Sequence, residues 1–153
     1  MKILVLGIDG MIGHKIAQSL SQDFNVIGST RKKIKPNDLG ITKCELITHD
    51  FITNNTLNLL NNTNPDIIIN CVGVTIRRGI NNNIDNTELL NSNLPQILND
   101  WAERNEKRLI HFSSDCVFSG KKGDYNDESK PDADDLYGLS KSKGEIKSNS
   151  TLT

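Results

Sequence analysis

Two side chains that can move a proton, Tyr137 and Lys141, lie four residues apart near the end of the chain. On a helix this spacing places them on the same face, one turn apart. A neighbouring ammonium favours the phenolate and lowers the pKa of the tyrosine from its usual value of about 10, which makes Tyr137 a better proton shuttle near neutral pH. Lys141 can also hold the ribose of a bound nucleotide. The alternative is a surface helix on which the two residues meet by chance.

Two hydroxyl groups, Ser113 and Ser114, stand at the end of an apolar run upstream of this pair. Ligands of open α/β sheets bind at the carboxyl edge of the strands. A serine at that edge can donate a hydrogen bond to a carbonyl oxygen and stabilise the negative charge that develops as hydride arrives. On its own, however, a pair of serines after a strand is more often a cap or a turn.

Glycines recur at every third position near the start of the chain, at Gly7, Gly10 and Gly13, directly after an apolar run. A strand that turns through glycines into a helix aims backbone N–H groups and the positive end of the helix dipole at one spot, which suits a pyrophosphate. The spacing is G-x-x-G-x-x-G and departs from the standard G-x-G-x-x-G. The pattern predicts a dinucleotide site, and the alternative is an ordinary strand-to-helix turn.

The residues after the second apolar run are basic and include Arg31, Lys32 and Lys33. At this position a carboxylate would bind the ribose 2′-hydroxyl of NAD, whereas a basic group would accept the 2′-phosphate of NADP. Because no acid follows the run, the sequence favours NADP(H) over NAD(H), with Arg31 as the contact. A solvated basic turn is the alternative.

Apolar runs alternate with helical patterns along the chain, which predicts an α/β fold of the Rossmann type, a doubly wound parallel β-sheet with helices on both faces. The predicted strands cover Lys2–Leu6, 25–28, 44–48, 66–70 and 108–113. The predicted helices cover 12–21, 53–61, 86–104 and 137–147. Pro95 predicts a kink or break in the third helix. Asparagine clusters at 54–55, 61–62 and 81–83 predict loops or helix ends, and 148–153 resemble the start of another strand.

The composition indicates a protein of one domain and argues against nucleic-acid-binding and metal-binding proteins. The 153 residues suffice for one domain with a core, and a net charge of −1 without a basic face argues against nucleic acid as a partner. Three cysteines without C-x-x-C spacing indicate reduced thiols in a cytoplasmic protein. The three histidines are too isolated to form a metal site. The sequence predicts no targeting segment and no membrane span.

The glycine turn, the serines and the Y-x-x-x-K pair occur in the order typical of the extended short-chain dehydrogenase/reductase family, and the resemblance covers almost the whole chain. The runs HFSSDCVFSG at 111–120 and LYGLSK at 136–141 resemble more closely its dTDP-4-dehydrorhamnose reductase branch. This resemblance implies an NAD(P)-dependent oxidoreductase of polysaccharide biosynthesis that reduces the 4-keto group of a nucleotide-linked deoxysugar. A sugar-nucleotide epimerase of the same family and a non-catalytic dinucleotide-binding regulatory protein are the alternatives.

The resemblance also implies roles for individual residues. Tyr137 would protonate the sugar carbonyl oxygen, and Lys141 would tune Tyr137 and bind the nicotinamide ribose. Ser114 would take the place of the family's Ser/Thr. Asn91, four residues before a proline, would be the supporting asparagine of the site, with Asn93 as the alternative.

Two further stretches would contact the cofactor, one at Asp50 and Phe51 beside the adenine and one after the fourth strand. The full set of predicted cofactor-binding residues is Gly7, Gly10, Met11, Ile12, Gly13, Arg31, Asp50, Phe51, Cys71, Val72, Gly73, Tyr137 and Lys141. Cys71 and Val72 stand where the family has small alanines. Cys116 stands where the reductases commonly have Tyr, so the resemblance does not specify which sugar is the substrate.

The resemblance bears on domain organisation as well. Residues 1–153 would form the dinucleotide-binding domain, and the C-terminal substrate domain of the family would be absent from a truncated chain. A nucleotide sugar is the expected partner, with neither nucleic acid nor membrane. Helices such as 86–104 pair into dimers in many members, so a homodimer is the oligomer that the resemblance allows.

Overall fold

A computed structural model of the chain describes residues 1–75 and 84–153, which contain one six-stranded parallel sheet. The strands are β1 (Lys2–Leu6), β2 (Asn25–Thr30), β3 (Glu45–Thr48), β4 (Ile67–Asn70), β5 (Arg108–His111) and β6 (Thr151–Leu152). Their order is β3-β2-β1-β4-β5-β6, so the direction of winding reverses between β1 and β4. Ligands of doubly wound sheets bind at such a reversal. The predicted Rossmann-type fold is confirmed.

Helices connect the strands. They are α1 (Met11–Leu20), α2 (Thr56–Thr63), α3 (Ile84–Glu88), α4 (Leu94–Arg104) and α5 (Leu136–Gly144). A π-helical segment, Leu89–Asn93, joins α3 to α4, and 3₁₀ turns cover Pro36–Leu39 and Asp115–Val117. The helix predicted over 86–104 is therefore present, and its irregularity lies just before Pro95. Pro95 stands in the first turn of α4, directly after the π-helical segment, and supplies no N–H to the continuing helix.

Apolar side chains bury both faces of the sheet. Because successive side chains of a strand point to opposite faces, β1 supplies Leu4 and Leu6 to one core and Ile3 and Val5 to the other. The first core is closed by residues of α2 and α4, and the second by Ala17 and other residues of α1. Burial on both faces explains why the central strands β1 and β4 are near-continuous apolar runs.

The ends of several predicted elements differ from the structure; among them, β2 runs to Thr30 and not to 28, and α2 covers Thr56–Thr63 and not 53–61. β5 ends at His111 and not at 113, because the chain turns at Ser114 into the 3₁₀ turn. α5 ends at Gly144 and not at 147, because Glu145 is already extended and leads toward β6. The pattern at 148–153 predicted the start of another strand, and β6 is that strand; it pairs in parallel with β5. The asparagine cluster 81–83 lies outside the described residues. Within the described ranges, no helix combines the length and the apolarity that a membrane crossing needs.

We predict that Gly144→Ala destabilises the protein, although the same change inside a helix usually stabilises it by about 1 kcal/mol. A methyl group at this position would overlap the carbonyl oxygen of Asn91, a backbone atom of the π-helical segment. We expect the free energy of unfolding in urea to fall by about 1–3 kcal/mol, as in other overpacked contacts. Ser142→Ala on the same helix is the control, with an expected change within about 0.5 kcal/mol. Unchanged or raised stability of Gly144→Ala would contradict the close packing of α5 on this segment.

Candidate functional site

β1 passes into α1 through a tight turn that begins at Gly7. Gly7 has a φ of 76°, in the left-handed region that other residues rarely adopt. The amides of Gly7 and Ile8 both donate to the carbonyl oxygen of Ser29, at 3.1 and 3.0 Å, and so tie the turn to β2. A methyl group at Gly13 would overlap the carbonyl oxygen of Gly7. Only glycines therefore allow the helix to start this close to the strand.

The start of α1 is open at its positive end. Among the described residues no side chain caps this helix, and its first turn contains no acid. The first amides of a helix have no acceptor within the helix. Met11 and Ile12, which carry two of them, are exposed. An anion such as a phosphate would satisfy these amides and the helix dipole together.

A cleft of about 270 Å³ opens beside this turn, between the ends of β2 and β3 and the residues that follow β4. It lies at the carboxyl edge of the sheet, where the winding reverses. Eight residues that the sequence predicted to bind a cofactor line it: Gly7, Gly10, Arg31, Asp50, Phe51, Cys71, Val72 and Gly73. Met11, Ile12 and Gly13 are not among the lining residues and form the first turn of α1.

A buried pair of side chains holds the wall of the cleft that follows β4. The Oδ1 atom of Asn70 accepts a hydrogen bond from the amide of Val72 at 3.1 Å. The Nδ2 atom of Asn70 lies 3.1 Å from Nδ1 of His111 and donates to it, which leaves the imidazole proton on Nε2. Burial lowers the pKa of His111 to about 3, and the charge of Lys141 adds to the effect. His111 is therefore a neutral, structural partner of Asn70.

The π-helical segment holds the same wall one step further on. Asn91 is 0 % exposed. Its Oδ1 accepts from the amide of Val74 at 2.9 Å, and its Nδ2 donates to the carbonyl of Val74 and to the hydroxyl of Ser140, both at 3.0 Å. The hydroxyl of Ser92 donates to the carbonyl of Ser140 at 2.8 Å. Asn91 thus joins the cleft wall to α5, whereas Asn93, the alternative from the sequence, is exposed.

α5 carries the tyrosine and the lysine of the Y-x-x-x-K pair. The carboxylate of Asp135 caps it by accepting from the amides of Tyr137 and Gly138 at 2.8 and 3.0 Å. Lys141 is 4 % exposed, and its Nζ donates to the carbonyl of Phe112 at 2.5 Å. Burial lowers the pKa of Lys141 to about 8. Tyr137 is partly exposed, and residues 1–75 and 84–153 offer its hydroxyl no hydrogen-bond partner.

Ser114 lies between β5 and the 3₁₀ turn that packs against α5. Its hydroxyl accepts from the amide of Cys116 and donates to the carboxylate of Asp115, both at 3.2 Å. It therefore caps this turn, which is the alternative that its position in the sequence raised. The turn and α5 approach closely, because a side chain at Gly138 would overlap the carbonyl of Cys116. Ser114 and the tyrosine–lysine pair are thus on adjoining segments, outside the residues that line the cleft.

Sequence reasoning missed several residues of the cleft. The residues that follow β2 and β3 could have been predicted from their position, since residues at the carboxyl ends of parallel strands form such clefts. Those contributed by the stretch 86–90 had no such signal. The missed lining residues are Asp9, Ser29, Thr30, His49, Ile52, Val74, Asn86, Thr87 and Leu90.

The remaining candidate ligands are structural. His14 Nε2 donates to the carbonyl of Leu39 at 2.6 Å. The three cysteines are free thiols, and burial raises the pKa of Cys44 and Cys71 to about 11, which leaves both thiols protonated and unreactive. In the described part of the chain, no three His, Cys, Asp or Glu side chains lie close enough together to hold a metal ion.

The family model described as the RmlD substrate binding domain matches residues 1–151. The chain belongs to this family. The membership confirms the resemblance to dTDP-4-dehydrorhamnose reductases that the motifs indicated.

Curated relatives of this RmlD-family chain include two reductases. One is the probable low-salt glycan biosynthesis reductase Agl14 of Haloferax volcanii, 28 % identical over 147 residues that cover 95 % of this chain and 48 % of the relative. Another is the dTDP-4-dehydrorhamnose reductase of Burkholderia thailandensis, 26 % identical over 95 % of this chain and 45 % of the relative. Methionine adenosyltransferase 2 subunit beta of Danio rerio is 24 % identical over a segment that covers 94 % of this chain and 42 % of the relative. The chain spans about half the length of these relatives.

Solved structures share the fold of the RmlD-family chain. The hypothetical dTDP-4-dehydrorhamnose reductase from Sulfolobus tokodaii superimposes with a TM-score of 0.78 and 25 % identity over 94 % of this chain and 50 % of that one. Another is the UDP-glucuronic acid 4-epimerase of Bacillus cereus, which was solved with NAD and a UDP-sugar analogue. It superimposes with a TM-score of 0.77 and 22 % identity over 94 % of this chain and 50 % of that one.

We predict that Asn91→Ala in this RmlD-family chain lowers the free energy of unfolding by about 1–3 kcal/mol, because it removes three hydrogen bonds and leaves polar groups unpaired in a closed space. Urea denaturation measures the change. Asn93→Ala, in the same segment but exposed, should change the stability by less than about 0.5 kcal/mol. Equal effects of the two substitutions would contradict the role of Asn91 as the link between the cleft wall and α5.

Proposed function

We propose that this chain is the dinucleotide-binding domain of a cytoplasmic, NADP(H)-dependent reductase that acts on the 4-keto group of a nucleotide-linked deoxysugar in polysaccharide biosynthesis. The observation that carries the proposal is the convergence of eight predicted cofactor residues on one cleft beside the open start of α1. The tyrosine–lysine pair on α5, which the same segments position, supplies the chemistry. The relatives named as reductases support this choice of reaction.

The residues present fit a dinucleotide. The pyrophosphate would lie against the first amides of α1, beside Gly10, which lines the cleft. The adenine would lie against Asp50 and Phe51, at the far side of the cleft. The backbone of 71–73 would follow the cofactor toward α5. The glycine spacing and the position of the cleft at the reversal of the sheet both support this orientation.

Arg31 supports the preference for NADP(H). It lines the cleft at the end of β2, where the adenosine ribose of a bound dinucleotide lies in this fold. A guanidinium presents several donors in one plane and binds phosphate through two of them. The 2′-phosphate of NADP(H) would therefore gain a partner that NAD(H) cannot use.

The residues of α5 and of the turn after β5 would carry the proton transfer. Hydride for the keto carbon would come from a bound reduced nicotinamide. Tyr137 donates its phenolic proton to the carbonyl oxygen, and the buried ammonium of Lys141 stabilises the phenolate that remains. Ser114 turns its hydroxyl from Asp115 to the same oxygen and stabilises the developing charge.

Two other functions would use the same cleft. A sugar-nucleotide epimerase would use the same tyrosine and lysine but would regenerate its cofactor, so net oxidation of NADPH by a keto sugar identifies a reductase. A regulatory dinucleotide-binding subunit is favoured by one observation, the relative named as a subunit of methionine adenosyltransferase. Such a subunit needs no proton donor, whereas this chain retains Ser114, Tyr137 and Lys141.

We predict that the chain binds NADPH in calorimetric titration more tightly than NADH, because Arg31 adds a contact to the 2′-phosphate. Gly7→Ala should weaken binding of both by at least tenfold, since it disturbs the turn beside the cleft. Gly123→Ala is the matched control: Gly123 has a similar positive φ, of 68°, and does not line the cleft. Binding of neither dinucleotide would contradict the proposed function.

We predict that Tyr137→Phe abolishes reduction in a version of the protein extended to the full length of its relatives. Loss of a general acid typically lowers kcat by about 10²–10⁴. The Kd for NADPH should change by less than about threefold, because the substitution removes a hydroxyl group and little else. Steady-state oxidation of NADPH with a nucleotide-linked 4-keto sugar measures kcat. Turnover at the rate of the unsubstituted protein would refute the catalytic role of Tyr137.

A further inference from the structure

An acidic side chain lies among the basic residues at one end of the cleft. Asp9, in the middle of the glycine turn, lines the cleft, and its carboxylate lies 3.2 Å from Nζ of Lys32. Lys32 follows Arg31 directly after β2. The sequence after β2 contains no acid at this point, but the fold supplies one from the preceding turn.

Stability does not explain the pair. The side chain of Lys32 is 70 % exposed, and ion pairs of this kind contribute little to folding. The carboxylate of Asp9 is only 23 % exposed and stands beside the space that the dinucleotide would fill. Its position matters more for a ligand than for the fold.

A carboxylate and a lysine treat the two dinucleotides differently. A carboxylate accepts hydrogen bonds from ribose hydroxyls and repels a 2′-phosphate, whereas a lysine attracts that phosphate. With NAD(H) bound, Lys32 can stay on Asp9 and the carboxylate keeps its partner. With NADP(H) bound, Lys32 and Arg31 can both turn to the phosphate, and Asp9 is left unpaired next to a second negative charge.

We propose that Asp9 is a specificity-determining residue that limits the preference of the cleft for a 2′-phosphate by competing for Lys32. This inference rests on the proposed binding of a dinucleotide. Arg31 and Lys32 favour the 2′-phosphate, Asp9 opposes it, and the balance of the three charges sets the ratio of affinities.

Two small nucleotides that differ only in the 2′-phosphate test the inference. Adenosine 2′,5′-bisphosphate and 5′-AMP are titrated calorimetrically, at low ionic strength, into the unsubstituted chain and three variants. Asp9→Asn should raise the ratio of the affinities, bisphosphate over 5′-AMP, by at least tenfold. Lys32→Gln should lower the ratio severalfold through the bisphosphate alone. Lys33→Gln, the control, should leave it within about twofold, since Lys33 neither lines the cleft nor pairs with Asp9.

The possible contrary results have distinct meanings. An unchanged ratio in Asp9→Asn overturns the role of Asp9 even if both nucleotides bind. Equal tightening of both nucleotides in that variant also overturns it, because Asp9 would then repel phosphate in general. An unchanged ratio in Lys32→Gln overturns the competition as well, because Lys32 would then make no contact with the 2′-phosphate. If the unsubstituted chain binds neither nucleotide and neither NADPH nor NADH, the proposed function fails and the inference fails with it.

Discussion

The buried amide of Asn91 is the contact on which the arrangement of the site depends. Its three hydrogen bonds join the chain that leaves β4, the π-helical segment and α5. The first of these forms the wall of the cleft, and the last carries Tyr137 and Lys141. A fully buried amide with all its partners satisfied fixes the relative positions of its neighbours, because any displacement leaves a polar group unpaired. Asn91 therefore links the wall of the cleft directly to the helix that carries the proton-donating pair.

A second set of contacts, made by residues of β5 and just beyond it, also holds the chain after β4 and α5 in place. Asn70 holds the amide of Val72 and is itself held by His111, while Lys141 donates to the carbonyl of Phe112 just beyond β5. A buried ammonium is costly unless it has partners, and the pKa of Lys141, about 8, reflects that cost. The ammonium nevertheless remains mostly charged at neutral pH, which is the form that stabilises a phenolate. Lys141 thus has a structural role, in its hydrogen bond to Phe112, and a proposed chemical role beside Tyr137.

Much of this arrangement could be predicted from the sequence, where local pattern decides the structure. The strand, glycine turn and helix over 2–20 follow from an apolar run and from glycines at positions that tolerate no side chain. The doubly wound parallel sheet was predicted from the alternation of apolar runs and helical patterns. The π-helical segment could not be predicted, since it depends on packing between Asn91, Ser92 and α5. The contact between Asp9 and Lys32 could not be predicted either, since it joins two turns that are separate in the sequence.

In the proposed function, a dinucleotide occupies the cleft between the glycine turn and the residues after β4. Amide chemical shifts of the isotope-labelled chain, followed by NMR as NADPH is added, test it most directly. We expect saturable shifts at 7–13 and 71–74, together with Arg31 and Asp50, and small shifts in α2. Shifts confined to other surfaces, such as the groove around Lys15 and Lys43, or no saturable shifts at all, would contradict the account.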